Sequence, residues 1–272
     1  MPSSRPVTYD DELQLASEAA RNAGRLQMER YERLERIVHK TEHDVVTEVD
    51  EMSEEMIISA IRASYPQDAF LAEESGRSHV VAPAGVAFSE AQRLWIIDPL
   101  DGTVNYANGI PVFCVSIGLV VEGRPVAGVI YDPVRDELYS AQAGRGARLD
   151  GRAIRLPVKD RMSDLVISLA LPRRGWSQRE RSVRGAIRVS RSMGSAALTL
   201  AYVANGRFDA FVQSGGLSLW DICAAGLIAA EGGARVTTLN GASWFDLDMS
   251  DRSIGLLAAA PVHHQKMLEM LK

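Results

Sequence analysis

The stretch Leu94–Tyr106 reads LWIIDPLDGTVNY and changes abruptly from apolar to acidic residues. Its first four residues, Leu94–Ile97, form an apolar run with the length and β-branched content of a buried strand. Open α/β sheets bind their ligands just beyond the carboxyl ends of such strands. Asp98 and Asp101 follow the run directly, so we expect both carboxylates at the lip of a binding site.

Pro99 and Gly102 shape the turn that carries these carboxylates. Pro99 restricts φ and has no N–H, while Gly102 lets the backbone approach a ligand closely. The turn can therefore aim Asp98, Asp101 and the carbonyl oxygen of Leu100 at one point, and three oxygen ligands suit a hard cation such as Mg²⁺. Asp, Pro and Gly are also ordinary turn residues, so this stretch alone leaves a metal site and a plain connection equally open.

The composition is that of a globular protein. The chain has 272 residues, of which 46% are hydrophobic and 24% charged, and its net charge of −5 argues against nucleic acid as a general partner. Cys114 and Cys223 lie far apart within apolar patterns, which favours reduced thiols over a disulfide or a metal site. No apolar stretch has the length of a signal peptide or a membrane span. We therefore expect a soluble cytoplasmic protein without membrane contact.

Four further acidic residues stand where one predicted element passes into the next. Asp50 opens a predicted helix, where an aspartate commonly serves as the N-cap. Glu73 and Glu74 follow a short apolar run, and adjacent acids usually belong to a surface turn. Asp221 opens the helix Ile222–Glu231, whose dipole stabilises a carboxylate with or without a metal. Each position taken alone thus has an ordinary structural explanation.

The remaining pattern places helices and strands in both halves of the chain. The predicted helices run from Asp10 or Asp11 to about Tyr31, and over Met52–Ala63, Ser195–Asn205, Ile222–Glu231 and His263–Leu271. The predicted strands are Val112–Val121, Val126–Tyr131, Glu137–Ala141, Val166–Leu171, Phe208–Val212 and Ile254–Ala260. The segment Arg33–Asp44, which contains Lys40, predicts an exposed connection. We expect two coupled subdomains, 1–150 and 151–272, each with its own sheet.

A basic stretch lies between residues 173 and 191. It contains Arg173, Arg174, Arg179, Arg181, Arg184, Arg188 and Arg191 around Trp176. A nucleic-acid patch is one interpretation of such a run. Because the chain as a whole is acidic, we favour a solvated surface segment of which one or two arginines, for example Arg191, could face an anionic substrate.

Several of these motifs together resemble the inositol monophosphatase family. The matching segments are Glu73-Glu74, Asp98–Tyr106 and Trp220–Gly226, joined in the same order by Lys40, Asp44–Asp50, Glu137–Gly151 and Gly194-Ser195-Ala196. The resemblance covers most of the chain. It implies an α/β (α+β) fold, a layered αβαβα sandwich of the inositol monophosphatase/fructose-1,6-bisphosphatase type. It also implies a Mg²⁺-dependent, lithium-sensitive phosphatase that forms a homodimer.

The resemblance further implies a role for each site residue. One Mg²⁺ would be held by Glu73, Asp98 and the Leu100 carbonyl, a second by Asp98, Asp101 and Asp221, and a weaker third near Glu73. Thr103 and Asp50 would orient the attacking water. Substrate would contact Lys40, Asp101, Gly102, Thr103, Gly194, Ser195 and Ala196. The chemistry agrees, since hydrolysis of a phosphate monoester is accelerated by two divalent ions about 3.5 to 4 Å apart that neutralise charge on both sides of the phosphorus.

The substrate alcohol is less sharply defined by the sequence. Inositol phosphatases of the family usually carry a glutamate just before Trp-Asp, whereas Val212–Leu219 contains no acid and one extra residue. This departure argues against strict specificity for inositol 1-phosphate. Inositol or another sugar monophosphate ranks first, and fructose 1,6-bisphosphate, histidinol phosphate and 3'-phosphoadenosine 5'-phosphate remain alternatives. A catalytically silent homologue is a further alternative, which the complete carboxylate set disfavours.

Overall fold

The computed structural model describes residues 8–33, 37–41, 44–75, 91–171 and 177–271, with the backbone alone for 37–41, 44–46 and 177. Within these ranges the helices are α1 (Asp10–Arg30), α2 (Glu48–Ser64), α3 (Thr103–Ala107), α4 (Ser177–Ala186), α5 (Ala196–Ala204), α6 (Leu219–Glu231) and α7 (Pro261–Leu271). None of the described helices is long and apolar enough to cross a membrane.

Fourteen strands accompany these helices in the described part of the chain. The first seven are β1 (Ile37–Thr41), β2 (Asp44–Thr47), β3 (Ala69–Ala72), β4 (Arg93–Asp101), β5 (Cys114–Val121), β6 (Arg124–Asp132) and β7 (Glu137–Gln142). The others are β8 (Ala147–Leu149), β9 (Arg152–Ile154), β10 (Val166–Ala170), β11 (Val189–Arg191), β12 (Ala210–Leu217), β13 (Arg235–Thr238) and β14 (Ile254–Ala259). Strands β1 and β2 form a separate antiparallel pair.

Two larger sheets organise the molecule. The seven-stranded sheet has the order β3-β4-β5-β6-β7-β8-β9, and the five-stranded sheet has the order β11-β10-β12-β14-β13. Strand β3 runs parallel to β4, and β10 runs parallel to both β11 and β12, while the other pairs are antiparallel. The first sheet ends at Ile154 and the second begins at Val166. The subdomain limits at residue 150 stay a prediction.

The helices cover and separate the two sheets. In β4, Leu94 and Ile96 face a core that contains α5 and α6, whereas Trp95 and Ile97 face a second core that contains α1 and α2. This alternation follows from the period of two in a strand, because both faces of β4 are covered. Helices α4 and α7 contribute to a third core on the other face of the five-stranded sheet. The layers are thus αβαβα, which confirms the predicted fold class.

Two details of the secondary-structure prediction were wrong. The segment Arg33–Asp44 is not an irregular connection throughout, because Ile37–Thr41 forms β1, a strand whose β-branched Ile37 and Val38 favour extended backbone. The basic stretch contains the unpredicted helix α4, in which Val183 is fully buried. Its helical pattern is hard to recognise because so few apolar residues mark the buried face.

A buried histidine at the start of α7 makes the stability of this fold dependent on pH. His264 has no exposed surface, and its Nε2 lies 2.9 Å from Oγ1 of Thr237. Burial, together with the positive charge of Arg235, lowers the pKa of His264 to about 4. Between pH 6.5 and pH 4 the unfolded chain therefore binds a proton that the native chain does not. The free energy of unfolding decreases as the pH is lowered through this window.

We expect the substitution His264→Gln to remove this contribution while an amide still faces Thr237. As the pH is lowered from 6.5 to 4, the unfolding free energy of the variant should increase by about 3 kcal/mol relative to that of the unsubstituted protein. Urea unfolding at several pH values measures the difference, and equal m-values show that both chains expose the same surface. Parallel pH profiles for the two proteins would contradict the expectation.

Candidate active site

The end of β4 departs from regular strand geometry between two carboxylates. The ladder between β4 and β5 shifts register between Asp98 and Asp101, where Pro99 has no N–H to contribute. The carbonyl oxygen of Pro99 accepts a hydrogen bond of 2.7 Å from Nε2 of the buried Gln27. The N–H of Leu100 donates to Oδ1 of Asp98 at 3.1 Å. This irregular end of β4 holds both carboxylates beside one cleft, as the sequence predicted.

Three carboxylates converge in this cleft. Each of Asp98, Asp101 and Asp221 offers one oxygen, and these oxygens lie within 4.8 Å of one another. Asp98 is 1% exposed and Asp101 is 7% exposed. The residues that line the carboxylate cleft are Glu73, Asp98, Leu100, Asp101, Gly102, Thr103, Val104, Gly194, Gly216, Ser218, Trp220, Asp221 and Arg252. The cleft therefore collects every metal ligand that the sequence predicted.

Two of these ligands come from other elements. Glu73 follows β3 directly, and because β3 is parallel to β4 its carboxyl end lies beside that of β4; the N–H of Glu73 donates to the Ile97 carbonyl at 3.1 Å. Asp221 is the third residue of α6 and accepts a hydrogen bond of 2.6 Å from the N–H of Ser218. This capping box orients Asp221, so one carboxylate both caps a helix and faces the cleft.

The cleft is electrostatically unbalanced. Burial raises the pKa of Asp98 well above its usual range, and the carboxylates of Glu73, Asp101 and Asp221 raise it further. Burial and Asp101 likewise raise the pKa of Asp221 to about 8. Among the described residues that line the cleft, Arg252 alone carries a positive charge. A buried set of carboxylate and carbonyl oxygens with too little positive charge fits a hard divalent cation, which would relieve the repulsion.

Thr103 and Asp50 are in direct contact beside these carboxylates. The Thr103 hydroxyl lies 2.8 Å from Oδ1 of Asp50 and 3.0 Å from the Leu100 carbonyl oxygen. The other Asp50 oxygen, Oδ2, accepts hydrogen bonds from the N–H and the hydroxyl of Thr47 at 2.8 and 2.6 Å. Thr47 is the N-cap of α2 and Asp50 is its third residue, so the prediction of Asp50 as N-cap was wrong by three positions. The capping box leaves Oδ1 of Asp50 directed at Thr103.

Gly102 links β4 to α3 in a conformation that only glycine adopts easily. Its φ is +101°, and a Cβ at this position would lie 2.9 Å from the Val112 carbonyl oxygen. Thr103 follows as the first residue of α3. The N–H of Tyr106 donates to the Gly102 carbonyl at 3.0 Å. Gly102 thereby turns the chain immediately after Asp101 and places Thr103 on the cleft wall.

The segment 194–196 approaches Asp101 from the other sheet. The hydroxyl of Ser195 donates to Oδ2 of Asp101 at 2.5 Å, and the N–H of Ala197 donates to the same oxygen at 2.7 Å. A second cleft adjoins the first and shares Asp101, Gly194, Gly216 and Asp221 with it. This serine cleft is lined by Asp101, Ser168, Ala170, Ser192, Met193, Gly194, Ser195, Ala196, Thr199, Phe211, Gln213, Gly216, Leu217 and Asp221. Its volume is about 330 Å³, within the range of small-molecule sites.

Some predicted contacts are not visible in the described part of the chain. Lys40 belongs to β1, but its side chain lies outside the described residues, as do Arg173 and Arg174. Arg191 is exposed at the end of β11, where its Nη1 donates to the Ser190 carbonyl at 3.0 Å. Sequence reasoning did not single out Arg252, because no local pattern distinguishes it from other surface arginines.

The five-layered fold that carries these buried carboxylates is also found in a family of phosphatases, as the comparison with solved structures shows. The model of the inositol monophosphatase family matches residues 9–272. The chain belongs to this family. Its membership confirms the resemblance that the sequence motifs predicted.

Relatives of the chain carry two kinds of name. It is 39% identical over 243 residues to the Nus factor SuhB of Pseudomonas aeruginosa, covering 86% of this chain and 87% of that protein. It is 37% identical over 235 residues to the inositol-1-monophosphatase of Mesorhizobium japonicum, covering 84% and 83%. Among solved structures, the extragenic suppressor protein suhB from Bartonella henselae matches with a TM-score of 0.86 and 33% identity over 96% of this chain and 98% of that chain.

Proposed function

We propose that the protein is a Mg²⁺-dependent phosphatase that hydrolyses a small phosphate monoester, inositol 1-phosphate or a related sugar phosphate, by attack of an activated water. The convergence of Asp98, Asp101 and Asp221 next to the Thr103–Asp50 pair is the observation that carries this proposal. Carboxylates clustered around a hydroxyl–carboxylate pair provide the groups that metal-assisted hydrolysis requires. The family membership supports the same reaction class.

The donor set is suited to two or three Mg²⁺ ions. Glu73, Asp98 and the Leu100 carbonyl would hold one, and Asp98, Asp101 and Asp221 would hold another, with Asp98 shared. Bound there, the ions would lower the pKa of a water and neutralise charge that develops on the phosphate. The raised pKa values of Asp98 and Asp221 support this assignment, because burial and neighbouring carboxylates disfavour their ionised forms without such a charge.

The chain's own groups would position the water and the phosphate. The Thr103 hydroxyl donates a hydrogen bond to Asp50, so the Thr103 oxygen can accept a hydrogen bond from the attacking water and fix the direction of attack. Asp50, oriented by Thr47, would receive the proton that the water loses. Glu73, which lines the carboxylate cleft with Thr103, would help to orient the water. The N–H groups of Gly102 and Thr103 would hold phosphate oxygens at the start of α3.

The serine cleft is suited to the alcohol that is released. Besides Asp101 and Asp221, its described lining is uncharged, and Ser168, Ser192 and Gln213 offer hydroxyl and amide groups that can pair with sugar hydroxyls. Backbone groups of the segment Gly194–Ala196 would complete the contact. A described lining without a positive charge favours a polyol or sugar monophosphate over a substrate with a second phosphate, since that phosphate would lose hydration without a partner.

A substrate panel measured with Mg²⁺ tests the proposal. We expect the largest kcat/KM for inositol or sugar monophosphates. The values for fructose 1,6-bisphosphate, histidinol phosphate and 3'-phosphoadenosine 5'-phosphate should be at least about tenfold lower, because one charged group of each would lack a charge-assisted hydrogen bond in the cleft. Chelation of Mg²⁺ should abolish every activity. A bisphosphate or histidinol phosphate at the top of the panel would overturn the substrate assignment. Absence of phosphate release from all substrates would instead favour a catalytically silent homologue.

The proposal includes several properties that the family resemblance implies. These are lithium sensitivity, a homodimer, a cytoplasmic location and the two subdomains 1–150 and 151–272. A small-molecule substrate, and neither nucleic acid nor membrane, is the proposed partner, which the net charge of −5 favours.

A further inference from the structure

One oxygen of Asp101, Oδ2, accepts hydrogen bonds from the start of α5. Oδ2 accepts hydrogen bonds from the Ser195 hydroxyl at 2.5 Å and from the Ala197 N–H at 2.7 Å, and the Cys114 thiol lies 3.8 Å from it. A carboxylate oxygen offers about two lone-pair directions, so these two short bonds use the acceptor capacity of Oδ2. Oδ1 is therefore the Asp101 oxygen left for a ligand in the carboxylate cleft.

Ser195, whose hydroxyl donates to Asp101, is itself held in a fixed position. Ser195 is 2% exposed and is the N-cap of α5, where its side chain accepts from the Leu198 N–H. Just before it, the Met193 carbonyl accepts a hydrogen bond of 2.8 Å from Nδ2 of Asn105. A serine that is fixed at its backbone and hidden from water can set the orientation of its acceptor, because few other rotamers are open to it.

The contact also joins β4 to the start of α5 across the site. Asp101 ends β4 of the seven-stranded sheet, whereas Ser195 is the N-cap of α5, 94 residues further along the chain. Asn105, on α3, anchors the same connection, and Gly194 has a φ of +80° with space for no Cβ, which would lie 2.7 Å from Asn105 Nδ2. The position of Asp101 thus depends on how the start of α5 seats against the end of β4.

We propose that Ser195 is a positioning residue for metal binding: its hydroxyl, with the Ala197 N–H, holds Oδ2 of Asp101 so that Oδ1 is presented to a divalent cation. The inference rests on the proposed function, since it requires that Asp101 bind Mg²⁺. It assigns the Ser195 hydroxyl a role through Asp101, besides the backbone contact of Gly194–Ala196 with the substrate alcohol in the proposed function. Partners that orient metal ligands in this way typically change metal affinity about 10- to 100-fold when removed.

The test is the affinity of the full-length protein for Mg²⁺, measured by titration calorimetry without substrate. We expect Ser195→Ala to weaken the binding about 10- to 100-fold, because Asp101 loses its strongest orienting bond. Ser195→Thr keeps a hydroxyl and should restore most of the affinity. Ser195→Gly removes the hydroxyl but retains a residue that tolerates the N-cap position, so it separates loss of orientation from loss of the helix cap.

Ser168→Ala is the matched control, because it removes a serine hydroxyl from the same cleft but from β10. It should leave the Mg²⁺ affinity unchanged. Mg²⁺ affinity equal to that of the unsubstituted protein in Ser195→Ala and Ser195→Gly would overturn the inference, and a raised KM with unchanged Mg²⁺ affinity would make Ser195 a substrate contact. The two failures are distinguishable. If the unsubstituted protein binds Mg²⁺ and the Ser195 variants bind it equally well, this inference alone fails. If the unsubstituted protein binds no Mg²⁺, the proposed function fails as well.

Discussion

We expect the substitution Asp98→Asn to lower the proposed Mg²⁺-dependent phosphatase activity by about a thousandfold or more and to leave the protein folded. Asp98 is the most deeply buried carboxylate of the cleft and the residue proposed to bind both ions. An amide has the same shape but no charge, and it binds a hard divalent cation far more weakly than a carboxylate does. Loss of one electrostatic contact to the transition state already costs about 10²- to 10³-fold, and loss of a shared metal ligand affects two ions.

The variant should still fold, because the Asp98 carboxylate destabilises the metal-free protein electrostatically. Burial and the nearby carboxylates of Glu73, Asp101 and Asp221 raise its pKa, so the metal-free native state loses stability as the pH rises above the ordinary value for an aspartate. The neutral amide removes this cost, and its oxygen can still accept the hydrogen bond from the Leu100 N–H. At pH 7 the metal-free variant should therefore melt at the same temperature as the unsubstituted protein or higher, and Mg²⁺ should stabilise it less.

Asp132→Asn is the matched control for this experiment. Asp132 is also fully buried, but it lies outside the cleft and accepts hydrogen bonds from Tyr202 and from the backbone and side chain of Arg135. Its substitution should lower stability, by about 1.5 to 3 kcal/mol for a lost charge-assisted bond, and leave Mg²⁺-dependent turnover in place. Thermal melts with and without Mg²⁺, together with phosphate release, measure both effects. Near-normal activity of Asp98→Asn would remove the metal assignment.

We expect Thr103→Ala to lower kcat by about 10²- to 10⁴-fold, the range for removal of a group that positions a proton transfer. The Thr103 hydroxyl donates to Asp50 at 2.8 Å, and without it neither the direction of the attacking water nor the link to Asp50 is maintained. Because the side chain offers no ligand to the proposed ions, the Mg²⁺ affinity should stay the same. Thr103→Ser keeps the hydroxyl and should retain most of the activity.

Single-turnover phosphate release and calorimetry of Mg²⁺ binding together decide the role of Thr103. The hydroxyl also lies 3.0 Å from the Leu100 carbonyl oxygen, which is a proposed ligand. A loss of Mg²⁺ affinity in Thr103→Ala would show that Thr103 acts through that carbonyl, and unchanged turnover would remove it from the mechanism. Asp50→Asn should lower kcat like Thr103→Ala, since the amide can still bond to Thr103 but cannot accept the proton.

The local sequence determined much of this arrangement. The apolar run Leu94–Ile97 identified a strand that is covered on both faces, and the alternation of its side chains between two cores confirms this burial. The residues Asp98, Leu100 and Asp101 are close in the chain, so a single turn could be predicted to aim them together. The order of the motifs then indicated the family and, with it, the layered fold, because that order is far more specific than any one turn.

Only the tertiary structure decided what the isolated carboxylates do. Asp50 and Asp221 each complete a helix capping box, and a capping aspartate has the same local sequence whether or not it also faces a binding cleft. The resemblance placed Asp101 and Ser195 at the same site, but the sequence did not predict the hydrogen bond between them, since they lie 94 positions apart and meet only where α5 packs against the end of β4. Local pattern records propensity and burial, whereas convergence of distant side chains depends on how the two sheets and the helices between them pack.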